Sequence, residues 1–127
     1  MFLKRLILFA AGLIGATGVL AAASASHLGE SRNLSAIAAI CLAHGPALLA
    51  LTLSRRSERI LRIASVLLAA GTIVFASDLA LREWLGHGLF AGAAPLGGMG
   101  MIGGWLSLIV AAVFSSDIAD AGNDKHR

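Results

Sequence analysis

The sequence predicts an all-α protein, a four-helix transmembrane bundle with both termini cytoplasmic. Three observations predict it. Hydrophobic residues make up 57% of the 127 and charged residues 13%, against about 45–50% and about 25% in ordinary soluble domains. The mean hydropathy is +0.84. The apolar residues gather into four long runs, and most basic residues cluster at alternate breaks between them. A soluble core this apolar would lack the polar surface to cover itself, so lipid is the expected solvent for much of the chain.

The whole chain, 1–127, reads as one integral membrane domain. A spanning helix needs about 20 mostly apolar residues to cross about 30 Å of hydrocarbon. Four segments satisfy this: Leu6 to Ala25, Leu34 to Leu53, Ile63 to Leu81, and Leu96 to Ser115. Short polar stretches join them, and 116–127 is a polar tail. In lipid such runs must be helices, because open strands would leave backbone groups unpaired and four strands are too few for a membrane barrel.

Charge sets the orientation. Lys4, Arg5, Arg55, Arg56, Arg59, Arg62, Lys125 and Arg127 all fall on one side, and only Arg32 and Arg82 on the other. The positive-inside rule therefore places both termini and the middle loop in the cytoplasm. The net charge of +3 follows from this arrangement and does not point to nucleic acid, since no basic run is interleaved with aromatics. The first segment admits a second reading. Lys4 and Arg5, an apolar run and Ala23-Ser24-Ala25 resemble a signal peptide with its cleavage site. The run is long for a signal peptide and punctuated by glycine, which favours a retained helix.

The candidate polar site comprises His44, Asp78, His27 and Cys41. His44 falls near the middle of the second segment, where a charged imidazole is costly, so it is expected neutral and bonded to another helix. That bond could simply fix the bundle, or His44 could relay protons or ligate a metal or haem. Cys41, three residues earlier, shares its helix face and suits small-residue packing better than a two-ligand metal site. Asp78 is expected to pair with Arg82, one helical turn on, with His27 as the alternative partner. Trp105 lies mid-membrane, so its indole N–H should seek a partner within the bundle. Trp84 and Phe90 suit an interfacial belt, and His87 is expected to be solvated. Thr17, Ser35, Thr52, Ser65, Thr72, Ser77 and Ser107 are the other polar groups of the segments, a thin lining for a transport path.

Small residues indicate close helix packing. Gly12, Gly15 and Gly18 form a stripe in the first segment, and Gly100 and Gly104 a GxxxG in the fourth. Pro46 is expected to kink the second helix, and Pro95 marks the start of the fourth.

Four blocks carry a resemblance. They are GVLAAASASHL (residues 18–28), ICLAHGPALL (40–49), AGTIVFASDL (70–79) and APLGGMGMIGGW (94–105), the last with Pro95, Gly97, Gly98, Gly104 and Trp105. Together they resemble the small YgdD-like bacterial inner-membrane family, domain of unknown function 423. Ile40 and Cys41 stand where that family usually has an aromatic and a glutamine. The resemblance covers about Leu6 to Val113 and implies the four-helix topology rather than an activity.

No phosphate loop, HExxH or GxSxG motif occurs, and no loop is long enough to build a catalytic domain. The reading is a structural or accessory membrane protein, not an enzyme, that packs with itself or with a larger membrane complex. Its expected partners are the lipid bilayer and such a complex, with no nucleic acid and no cofactor. The alternative is a small transporter or a proton- or metal-binding protein centred on His44.

Overall fold

The computed structural model describes residues 1–29, 31–55 and 59–123, the stretch 115–123 by its backbone alone. Arg56, Lys125 and Arg127 of the basic count lie outside the described residues. Four helices follow in order: α1 (Phe2–Leu28), α2 (Arg32–Leu53), α3 (Arg59–Leu85) and α4 (Ala93–Asn123). No strand forms among the described residues. Each helix is long and apolar enough to cross a membrane, α4 doing so over Ala93–Phe114. The chain has the build of a multi-pass membrane protein.

Every helix overruns the apolar run that announced it. Hydropathy marks the hydrocarbon, whereas a helix ends where its backbone bonds end. α1 stops before Gly29, which has φ 96°, and α3 before Gly86, which has φ 75°. Both glycines adopt a left-handed conformation that ordinary side chains resist. α4 continues past Ser115 to Asn123; the segment Ser115 to Ala121 holds no Gly or Pro to break it. α2 begins at a Ser31 N-cap whose Oγ accepts from the Leu34 N–H at 3.3 Å.

α2 runs through Pro46 to Leu53. Pro95 falls in the first turn of α4, where its missing N–H costs little.

Neighbours pack antiparallel. Along the α1–α2 seam Gly18 faces Leu42, and Gly15 and Ala11 face Gly45. Along the α3–α4 seam Gly71 faces Gly97 and Met101, and Gly104 faces Leu68 and Ala64. α2 packs on α3, while no Cα of α1 or α2 comes within 8 Å of α4 among the described residues.

The interior is built largely from small side chains. Ala10, Ala11, Ala21, Ala38, Cys41, Ala64, Ala69 and Ala76 are buried, with Ile14, Leu34, Ile37, Leu48 and Leu68 among the few large ones. The outside is larger: Phe9, Leu20, Ile102, Val113 and Phe114 are all exposed. In water this would be an aggregation surface. In lipid no hydrophobic gain separates inside from outside, and small residues are drawn inward because they let backbones approach.

The glycines of the two stripes differ in what they meet within the chain. A Cβ on Gly18 would lie 2.9 Å from Leu42 Cγ, and one on Gly104 2.7 Å from Leu68 Cγ. Gly100 is close to Gly71 at 3.3 Å. Gly12 meets nothing within 4 Å, so it is not a packing residue within this chain. Gly15 also has open space beyond its own Cα, and its role is to offer bare backbone to Gly45. The tightest approach between two helices was not anticipated: a Cβ on Gly71 would stand 2.6 Å from the Gly97 carbonyl oxygen.

Candidate functional site

His44 lies near the middle of α2. It is buried, and both ring nitrogens are engaged. Nδ1 lies 2.8 Å from the Ile40 carbonyl oxygen one turn back. Nε2 accepts the Trp105 indole N–H at 3.1 Å. An indole nitrogen can only donate, so Nε2 carries no proton and Nδ1–H is the donor to Ile40. The rings meet edge to face, with centroids 5.9 Å apart and planes 68° apart.

This pair spans a gap the backbones leave open. The indole is long enough to reach the imidazole from a helix whose backbone does not approach α2. Both partners were separately expected to need a bond, and each supplies the other's.

Asp78 belongs to a second, separate cluster. It is fully buried near the end of α3. Oδ2 accepts from Arg82 Nε at 2.7 Å, the expected one-turn pairing. Oδ1 accepts the Leu89 backbone N–H at 2.7 Å, a bond not foreseen, because it joins the helix to the loop that follows it. Gly88 sits directly over this pair; a Cβ there would lie 2.5 Å from Asp78 Oδ1 and 2.7 Å from an Arg82 terminal nitrogen. The Gly86-His87-Gly88 sequence was the available signal, since a glycine beside a buried ion pair marks a place where backbone must pass close.

A third cluster closes the same end. Glu83 Oε2 accepts from Ser31 Oγ at 2.7 Å and from Asn33 Nδ2 at 3.0 Å. The start of α2 is thus clamped to the end of α3. Ser31 caps α2 with the same oxygen that donates to Glu83.

The four residues grouped in the sequence therefore do not form one site. His27 is exposed at the end of α1 and forms no hydrogen bond or ion pair among the described residues, so the alternative Asp78–His27 pairing does not occur. Cys41 is buried beside a cleft of about 150 Å³ shared with Thr17 and Thr72, while His44 turns to α4. Shared helix face did not mean shared neighbours. No group of three potential metal ligands occurs among the described residues. His87 is exposed, its Nδ1 3.1 Å from the Gly88 carbonyl oxygen. Trp84 and Phe90 are both exposed near that loop.

Thr17, Thr52, Ser65, Thr72 and Ser107 each donate to the carbonyl four residues back, at 2.7 to 2.8 Å. Such bonds satisfy a hydroxyl within its own helix. No buried side-chain nitrogen or oxygen among the described residues lacks a partner.

The family model for a protein of unknown function, DUF423, matches residues 14–98. The chain belongs to the DUF423 family. The match spans the first three sequence blocks and only Ala94 to Gly98 of the fourth, so the distinctive Met99-to-Trp105 stretch, with the His44 partner Trp105, lies beyond it. Comparison with the curated proteins and with the solved structures gives no match.

Proposed function

We propose that this DUF423 protein is a structural or accessory component of the bacterial inner membrane, without enzymatic activity, that assembles with copies of itself or with a larger membrane complex. The observation that carries this reading is the internal satisfaction of its polar groups. His44 and Trp105 hold each other, Asp78 holds Arg82 and the Leu89 N–H, and the helix hydroxyls bond their own backbones. A transport path needs polar groups with unused bonding capacity along its length. What this chain offers its surroundings instead is a broad apolar exterior, including Met99, Ile102, Leu106 and Ile109 of α4. The termini are assigned to the cytoplasmic side from the basic residues at that end.

Native mass spectrometry after gentle extraction from the source membrane tests the assembly. The expected result is multiples of the chain or added polypeptide mass. A bare monomer would overturn it.

A proton or metal role for His44 is the competing reading, favoured only by its depth. It requires one ring nitrogen to be released. Proton or metal flux in proteoliposomes should be unchanged in His44→Ala; a flux that disappears with the imidazole would establish the competitor.

A further inference from the structure

At the end of the bundle that carries the chain's N-terminal residues, a cleft of about 130 Å³ opens between α1, α2 and α3. Lys4, Arg62, Thr52 and Ser65 supply its polar lining, and Leu3 and Ile7 part of its apolar wall. Lys4 and Arg62 are exposed and have no ion-pair partner among the described residues. A second groove, of about 370 Å³, shares Leu3 and Arg62 with the first. Its remaining lining is Arg59, Ile63, Val66 and Leu67. A cationic cleft thus continues into an apolar groove that follows α3 toward the membrane interior.

From this juxtaposition we infer a binding site for one anionic phospholipid, with its phosphate between Lys4 and Arg62 and an acyl chain along Ile63, Val66 and Leu67. Cations with no ion-pair partner among the described residues, at the head of an apolar groove, match the two ends of such an amphiphile in order. The hydroxyls narrow the headgroup. Thr52 and Ser65 have committed their protons to the Leu48 and Leu61 carbonyls, so their oxygens can only accept. A headgroup bearing hydroxyl donors, as in phosphatidylglycerol, meets them, and a quaternary ammonium headgroup does not. The opposite end of the bundle provides a contrast. It too has an apolar groove, lined by Ala80, Leu81, Trp84 and Leu89, but the neighbouring Arg82 is already paired with Asp78.

Native mass spectrometry of the full chain released from nanodiscs of equimolar phosphatidylglycerol and phosphatidylcholine tests this. The wild type should retain one phosphatidylglycerol in preference to phosphatidylcholine. Lys4→Gln/Arg62→Gln should lose that preference by about tenfold. Arg5→Gln/Arg55→Gln removes the same charge from exposed positions outside the cleft and should retain it. No preference in the wild type, or equal loss in both double variants, would overturn the site and leave only a general surface charge. Glycerol 3-phosphate, titrated as the free anion in detergent, should not bind at the same concentration; saturation by it without any lipid preference would assign the cleft to a soluble anion instead.

Discussion

The two ends of this bundle treat charge in opposite ways. At the end formed by the α1–α2 and α3–α4 connections, Arg82 is paired with a buried Asp78, and Glu83 is clamped by Ser31 and Asn33. At the other end Lys4, Arg5, Arg55, Arg59 and Arg62 form no ion pair among the described residues. The difference teaches what each set of charges is for. An ionic bond that ties a loop to a helix end stabilises the fold. A cation left unpaired at the membrane surface costs the fold little and remains available to lipid headgroups and to the forces that orient the chain.

The contrast breaks first at Asp78. Asp78→Ala removes the acceptor for both Arg82 and the Leu89 N–H and leaves a buried donor unmatched, a loss of about 3 kcal/mol. Thermal unfolding in detergent should show it, and Asp78→Asn should recover part of the loss by still accepting from Leu89. An Asp78→Ala variant as stable as wild type would remove the distinction between the ends.

A smaller effect is expected where α3 and α4 meet. Gly97→Ala would push a methyl to 2.7 Å from both the Gly71 carbonyl oxygen and the Phe75 nitrogen, costing about 2 kcal/mol through forced separation of the backbones. Gly12→Ala meets nothing within 4 Å and should leave the melting temperature unchanged or slightly raised. Equal behaviour of the two glycines would show that the seam is looser than its geometry.

Trp105→Phe tests the connection between α2 and α4. It keeps an aromatic ring and removes the only donor to His44 Nε2 among the described residues, at a cost of about 1 kcal/mol, the scale of interhelical hydrogen bonds in membranes. Indole fluorescence offers a separate check, since His44→Phe should alter the Trp105 emission while leaving that of exposed Trp84 in place.

Least is expected at the open end. Arg5→Gln and Arg55→Gln should each change stability by less than about 0.5 kcal/mol. A large loss from either would mean that this end also holds structural ion pairs.

Much of this architecture was legible without coordinates, for reasons that particular residues make plain. The four spans were readable because hydropathy reports the solvent, and Asp78 with Arg82 because one turn of helix separates them. Trp105 and His44 each advertised an unmet bond. Their pairing was not legible, since an indole at that depth has several helices within reach. The choice between Arg82 and His27 for Asp78, and the separate neighbours of Cys41 and His44, needed the coordinates, because equal depth or a common helix face says nothing about which neighbour a side chain turns to.

The sequence alone therefore determined the number of helices, their membrane character and the uneven distribution of charge, because each follows from local composition along the chain. Only the tertiary structure decided that Gly71 meets Gly97, that Gly12 meets nothing, that Leu89 reaches back to Asp78, and that Lys4 and Arg62 share one cleft. In lipid, polarity no longer separates inside from outside, so the choice of neighbours rests on the fit of one backbone against another, and that fit exists only once the helices have met.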